Sequence, residues 1–202
     1  MPEHRFCDEF GGGFGWILEE MMGRTSHALA AGGAVWLVDP VDVPGLDERI
    51  AALGEPRGVL QLIDRHGRDC AALAARLGVP HHRAPFAGVP DAPFEVVRIV
   101  SLPAWREDVL WWPAERTLVA ADALGTLPYF REPGARIGVH PLLRLVPPLR
   151  LGRFEPFRVL CGHGEGIDGE SVADELRSAL ARSRRALPAA LLHGWRWARN
   201  RD

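Results

Sequence analysis

Lysine is missing from this sequence: all 24 basic residues among its 202 are arginine. The replacement affects every basic position rather than one face, the mark of codon bias in a GC-rich, bacterial genome. It excludes lysine Schiff-base chemistry and any Walker-type phosphate loop, so GGGFG at 11–15 reads as a flexible turn. Cysteine is scarce. Cys7, Cys70 and Cys161 are too few and too scattered for a disulfide framework, and no pair has the CxxC spacing of a structural zinc site. Long apolar runs are absent too: none reaches membrane-span length, and MPEHRFCDEF lacks the apolar core of a signal peptide. A cytoplasmic protein is the expectation. Neither sign of charge dominates; a net charge of −2 gives no electrostatic case for nucleic acid or an anionic membrane as partner. Ser26, Ser101 and Ser171 have no GxSxG context, which leaves no Ser-His-Asp assignment.

What is present is a core. At 47% hydrophobic the chain can fill one domain over 1–202, with C-terminal helices over 170–200 packed on it. SHALAAGGAVWLVDP reads as a hairpin around Gly32-Gly33, and VPGLDERIAALG as a short helix with Leu46, Ile50 and Leu53 on one face and Gly54 as its stop. GVLQLI (58–63) is a continuous apolar run, as in a strand buried on both faces. After the turn DRHGRD, Cys70, Leu73, Ala74 and Leu77 form a helical stripe ending at Gly78. A short strand follows near VPHHRAP, then FEVVRIVSL and a second hairpin, DVLWW and TLVAA around PAER. The Pro- and Gly-rich stretch 125–156 allows a short helix at HPLLRLV. FRVLCGHGEG is a strand running into a glycine-rich turn, and SVADELRSALARSRRA is a helix buried along Val172, Leu176, Ala179 and Leu180. Its Arg182/Arg184/Arg185 end reads as solvated. The order predicts two sheets with helices outside, a four-layer αββα sandwich. Trp195 and Trp197 in the last amphipathic stretch either dock on the body or mark a homodimer contact.

Three features in fixed order carry a resemblance: LIDRHGRDCAAL, then LVAADAL ending a hairpin at Asp122, then LCGHGEG with His163. Over roughly 26–167 the chain resembles the metallo-β-lactamase-fold hydrolases, which include the glyoxalase II-like thioesterases, and AVWLVDP sits where that family has its "vliDtG" strand. The resemblance implies an αββα sandwich with a metal site at one edge, between the sheets. Laid on the family's His-x-His-x-Asp-His turn, Asp64 takes the first His position, His66 the second, Arg68 the Asp and Asp69 the last His. A further family histidine should fall in SLPAWRED, where Trp105 is nearest. Asp122 matches the bridging carboxylate and His163 the final ligand.

Two readings follow. In the first, which is preferred, Arg68 pairs with Asp69 or Asp122 and replaces a metal's charge, leaving a metal-free or weakly metal-binding cleft for a small molecule or protein. In the second, one divalent ion (Zn, Fe or Mn) is held by Asp64, His66, Asp69, Asp122 and His163 or a subset. The chain would then hydrolyse a small ester, thioester or phosphoester, with Asp64 and Asp69 as its catalytic carboxylates. Beside both stands a plainer account: Asp69 as an N-cap, Asp64 bonding backbone amides at a strand end, and His66 a structural histidine. His27 and His140 have no partner that spacing can name.

Overall fold

The computed structural model describes residues 3–84 and 86–199. Two sheets face one another. The first has six strands in sequence order: β1 (His4–Phe10), β2 (Gly13–Leu18), β3 (Thr25–Ala31), β4 (Ala34–Val38), β5 (Glu55–Gln61) and β6 (His81–Arg83). Its first four strands form an antiparallel meander, and β4, β5 and β6 run parallel. The parallel connections are α1 (Leu46–Leu53) and α2 (Cys70–Leu77). The second sheet takes β7 (Glu95–Leu102), β8 (Trp105–Trp112), β9 (Thr117–Ala120), β12 (Arg158–Cys161) and β13 (Ile167–Asp168), with β9 and β12 adjacent and parallel. A two-strand ladder, β10 (Leu124–Gly125) with β11 (Gly138–Val139), precedes α3 (Val172–Arg182) and α4 (Leu187–Arg199).

The period-2 alternation of strands sorts the core into layers. On β4, Val35 and Leu37 join Leu46 and Ile50 of α1 and Cys70, Leu73 and Ala74 of α2 in one cluster. Trp36 and Val38 face the other way, into a cluster with Val109, Leu118 and Leu160 of the second sheet. Trp36 meets Phe94 edge-on at 5.3 Å, and Phe94 meets Trp112 at 5.4 Å, which spans the sheet interface with aromatic contacts. Val172, Leu176 and Leu180 of α3 close the far side. The four-layer expectation holds.

Two segments differ from their sequence reading. The N-terminal glycines are a turn only at Gly11 and Gly12: β2 begins at Gly13 and is buried throughout, and it pairs with β1 in a hairpin over residues 4–18. A Cβ at Gly13, whose φ is +153°, would stand 2.1 Å from the Ala28 carbonyl oxygen; one at Gly15 would stand 3.0 Å from the His27 ring. Glycine is there for close strand approach, not for mobility. Within 125–156, the helix expected at HPLLRLV is a single 3₁₀ turn, Pro141–Leu143, followed by a second at Leu149–Arg153.

Candidate functional site

Parallel strands end together, so the carboxyl ends of β4, β5, β9 and β12 and the amino end of β3 share one edge. There the two sheets exchange backbone hydrogen bonds: Thr25 N–H to Gly162 O at 2.9 Å, and Gly164 N–H to Gly23 O at 2.9 Å. The turns carrying Asp64, His66, Asp122 and His163 leave from this seam.

Asp122 is the hub. It is 6% exposed, and its two oxygens face two different imidazoles: His66 Nε2 lies 3.1 Å from Oδ2, and His163 Nε2 lies 3.2 Å from Oδ1. The three-loop convergence read from the sequence is therefore present. His163 Nδ1 lies 2.8 Å from the Met22 carbonyl, which can only accept, so that nitrogen carries a proton. Its Nε2 faces Asp122 Oδ1 across 3.2 Å. Burial alone would raise the Asp122 carboxyl, but the hydrogen bonds and charges of His163 and His66 hold it below the ordinary carboxylate range.

Glu107, which the sequence reading missed, fixes the hub. It is fully buried; Oε1 accepts N–H bonds from Ala121 (3.1 Å), Asp122 (3.1 Å) and Ala123 (2.9 Å), and Oε2 accepts from Trp105 Nε1 at 2.9 Å. Burial, with the Asp122 charge beside it, pushes this carboxyl up to about 8. Trp105, at the place where the family's additional histidine would fall, holds Glu107 and packs edge-on against the His140 ring at 4.8 Å. Burial brings His140 down to about 4, and its Nδ1 accepts the Leu142 N–H at 3.2 Å.

Arg68 departs from expectation. Its hydrogen bonds go to neither Asp69 nor Asp122: Nη1 donates to Thr25 O (2.5 Å), Asp39 O (3.0 Å) and Ser26 Oγ (3.3 Å), and Nη2 donates to Gly162 O (2.8 Å). The guanidinium is a clamp across three strand ends from both sheets, because carbonyls at the ends of strands have no ladder partner left. Arg68 takes a left-handed φ of +45° to get there, and Asp39 one of +42°. Asp39 is itself buried; burial raises its carboxyl to about 6 even with the Arg68 charge opposing.

Asp64 and Asp69 also part from the five-ligand expectation. Asp64 Oδ1 accepts the Arg106 N–H at 2.8 Å, which ties the end of β5 to β8 and agrees with the plainer account. Asp69 Oδ2 accepts the Asp42 N–H at 2.8 Å; it stands at the N-cap of α2 but makes no side-chain cap bond. His27 has a partner that spacing could not supply: its Nε2 lies 3.3 Å from Asp8 Oδ2, and Asp8 Oδ1 accepts Gly166 N–H at 2.9 Å, steadying the loop after His163. Of the aromatic pair near the C-terminus, Trp195 is 55% exposed rather than docked, and the Trp197 side chain lies outside the described residues.

The residues do not fit a two-metal centre. A bridging carboxylate offers one oxygen to each ion, and here each oxygen of Asp122 has a single imidazole beside it, two donors where a hydrolytic ion needs at least three. Among the described residues no group of three or more His, Cys, Asp or Glu is arranged to hold a metal ion. Beside this cluster opens a cleft of about 530 Å³ lined by Glu20, Met21, Met22, Arg24, His66, Arg68 and His163.

A scan of protein-family models finds no match to this sequence, and a search of curated proteins finds none. Solved structures do match. DIM-1 metallo-β-lactamase exposed to ceftazidime is similar with a TM-score of 0.59 at 15% identity, over 90% of this chain and 98% of that one. A metallo-β-lactamase from Pontibacter korlensis gives 0.57 at 13% identity, over 89% and 99%. The chemotaxis sensor ODP, in a peroxy diiron species, gives 0.50 at 14% identity, over 88% and 94%. This chain has the metallo-β-lactamase fold.

Proposed function

We propose that this metallo-β-lactamase-fold chain has given up two-metal hydrolysis and binds a small molecule in the cleft beside His66 and His163, with Arg68 as its fixed cation. One observation carries the reading: Asp122 meets one imidazole at each oxygen, while Asp64, Arg68 and Asp69 are bonded to Arg106, to strand-end carbonyls and to Asp42. The cleft's volume suits a small ligand better than a protein segment. Met21 and Met22 offer it an adaptable apolar wall, and the His66 side chain, 40% exposed, can meet a polar group. The fold does not commit the chain to hydrolysis, since a chemotaxis sensor shares it.

The convergence of His66, Asp122 and His163 favours a second reading, a mononuclear hydrolase of a small ester, thioester or phosphoester. In that case these three would be the ligands of one divalent ion, which would supply an acidified water. Elemental analysis of protein purified without chelator separates the two. The expected result is substoichiometric transition metal, unchanged in His163→Ala. Stoichiometric Zn, Fe or Mn that disappears in His163→Ala would establish the hydrolase reading instead.

A further inference from the structure

The near-zero net charge hides a strong local asymmetry. Between 133 and 154, and again between 176 and 199, the chain has no Asp or Glu, only Arg. The two segments are neighbours: α4 packs on the 3₁₀ turn Pro141–Leu143, α3 packs on the turn Leu149–Arg153, and Arg184 Nε donates to Leu145 O at 2.9 Å. His193 Nδ1 donates to Arg131 O at 3.1 Å, which sets the inward face of α4.

Their outward side is apolar. Of nine exposed large hydrophobic side chains among the described residues, seven lie here, and that concentration separates a patch from ordinary scatter. Leu142, Leu145, Val146 and Leu149 come from the 3₁₀ turns and the loop between them, with Val146 72% exposed. Leu191, Leu192 and Trp195 come from α4, spaced so that they share one side of the helix. Exposed arginines surround them: Arg150 and Arg153 beside the turns, Arg184 and Arg185 at the corner, Arg196 and Arg199 on α4. None of these six makes an ion pair among the described residues. Arg199 lies over the Trp195 ring at 4.6 Å, its stem on the apolar surface and its charge outward.

We infer that this face docks on an anionic lipid surface, with the apolar side chains entering the acyl boundary and the arginines meeting phosphate headgroups. A second copy of the chain suits the face poorly. A two-fold contact would set arginines against arginines with no carboxylate on either side to pair them. Duplex nucleic acid would leave exposed Leu and Val without a role. Shallow apolar insertion combined with basic charge is the two-part attachment that interfacial helices use, and Trp favours the headgroup level. No helix among the described residues is long and apolar enough to cross a membrane, and the proposed contact is made by surface side chains alone.

Co-sedimentation of the full chain with vesicles tests this. The protein should bind equimolar phosphatidylcholine/phosphatidylglycerol vesicles, bind pure phosphatidylcholine about tenfold less, and lose binding as salt rises. Val146→Glu with Trp195→Glu should abolish binding, and Arg196→Glu with Arg199→Glu should weaken it about tenfold or more, both with unchanged circular dichroism and melting. Absence of binding to the mixed vesicles, or binding untouched by Val146→Glu/Trp195→Glu, would overturn the inference. A dimer in sedimentation velocity that Val146→Glu dissociates would give the face to a second copy; binding to duplex DNA but not to vesicles would give it to nucleic acid. Either outcome refutes the lipid assignment.

Discussion

Arg68→Ala is the sharpest test of how this site is held. The substitution removes charge-assisted donors from the carbonyls of Thr25, Asp39 and Gly162, which belong to both sheets. Each such bond is worth about 1.5–3 kcal/mol net. Water can enter from the cleft and re-solvate part of what is lost, and losses within one network do not add. Together these place the expected destabilisation at about 3–5 kcal/mol. In a domain of this size that lowers the melting temperature by about 10 °C. The assay is thermal and urea unfolding at neutral pH, with the urea slope unchanged so that the shift reports stability alone. Arg68→Lys should recover only a minor share, because an ammonium is a point donor and cannot reach carbonyls on two sides at once. High salt should change the gap between wild type and Arg68→Ala little, since the clamp works through short bonds to backbone. A loss below about 1 kcal/mol, or full rescue by lysine, would refute the clamp.

Three further outcomes follow from the same geometry. Asp39, with an ordinary value of 3.8 raised to about 6, holds its proton in the folded state over a window where the unfolded chain has released it. Its contribution to stability is therefore full below pH 3.8 and is lost as pH rises through about 6, an amount of about 3 kcal/mol. Asn tolerates the left-handed φ and can still accept the Leu62 N–H, so Asp39→Asn should gain on wild type by that amount across the window; parallel stability curves would contradict this. Glu107→Gln keeps an oxygen for the three backbone donors but turns an NH₂ toward Trp105 Nε1–H, at a cost of about 1–3 kcal/mol, and Glu107→Ala should cost more; equal melting of all three proteins would show that the Asp122 loop stands without this carboxyl. Burial raises all three thiols, so the native protein should not react with a thiol reagent and the unfolded protein should titrate three; a fast native thiol would contradict the buried placement.

The parts of the fold legible in the sequence are those where one periodicity is uninterrupted. AVWLV, GVLQLI and the stripe Cys70–Leu73–Ala74 declare strand, strand and helix, and the order of the elements then demands a layered sandwich. The N-terminal hairpin stayed hidden because glycine signals both turns and tight strand contacts, and only the position of the Ala28 carbonyl distinguishes them. In the site, it was the family resemblance that singled out His66, Asp122 and His163, and the structure brings these three side chains together. The resemblance could not locate Arg68's partners, which lie 43, 29 and 94 residues away along the chain. Glu107 did leave a signal. In WREDVLWW it shares the period-2 face of Trp105 and Val109, both buried, so an acid on that face had to have donors waiting for it.

The buried charge at this edge shows why a metal site is not reached here by a single change. Asp39, Glu107 and Asp122 are all buried within one small region, and Arg68 is a cation held beside Asp39 by its bonds to backbone carbonyls. Placing an aspartate at position 68 alone would remove that cation and add a fourth carboxylate where the Asp122 charge already helps push Glu107 up. A metal ion could offset the added charge only with more donors, and the side chains of Asp64 and Asp69 are committed to the Arg106 and Asp42 amides. Histidines at 64 and 69 would have to arrive with the aspartate and break both of those bonds. Arg68 thus closes the seam between the sheets through backbone carbonyls, and a single substitution there would weaken the surrounding fold without assembling a metal site.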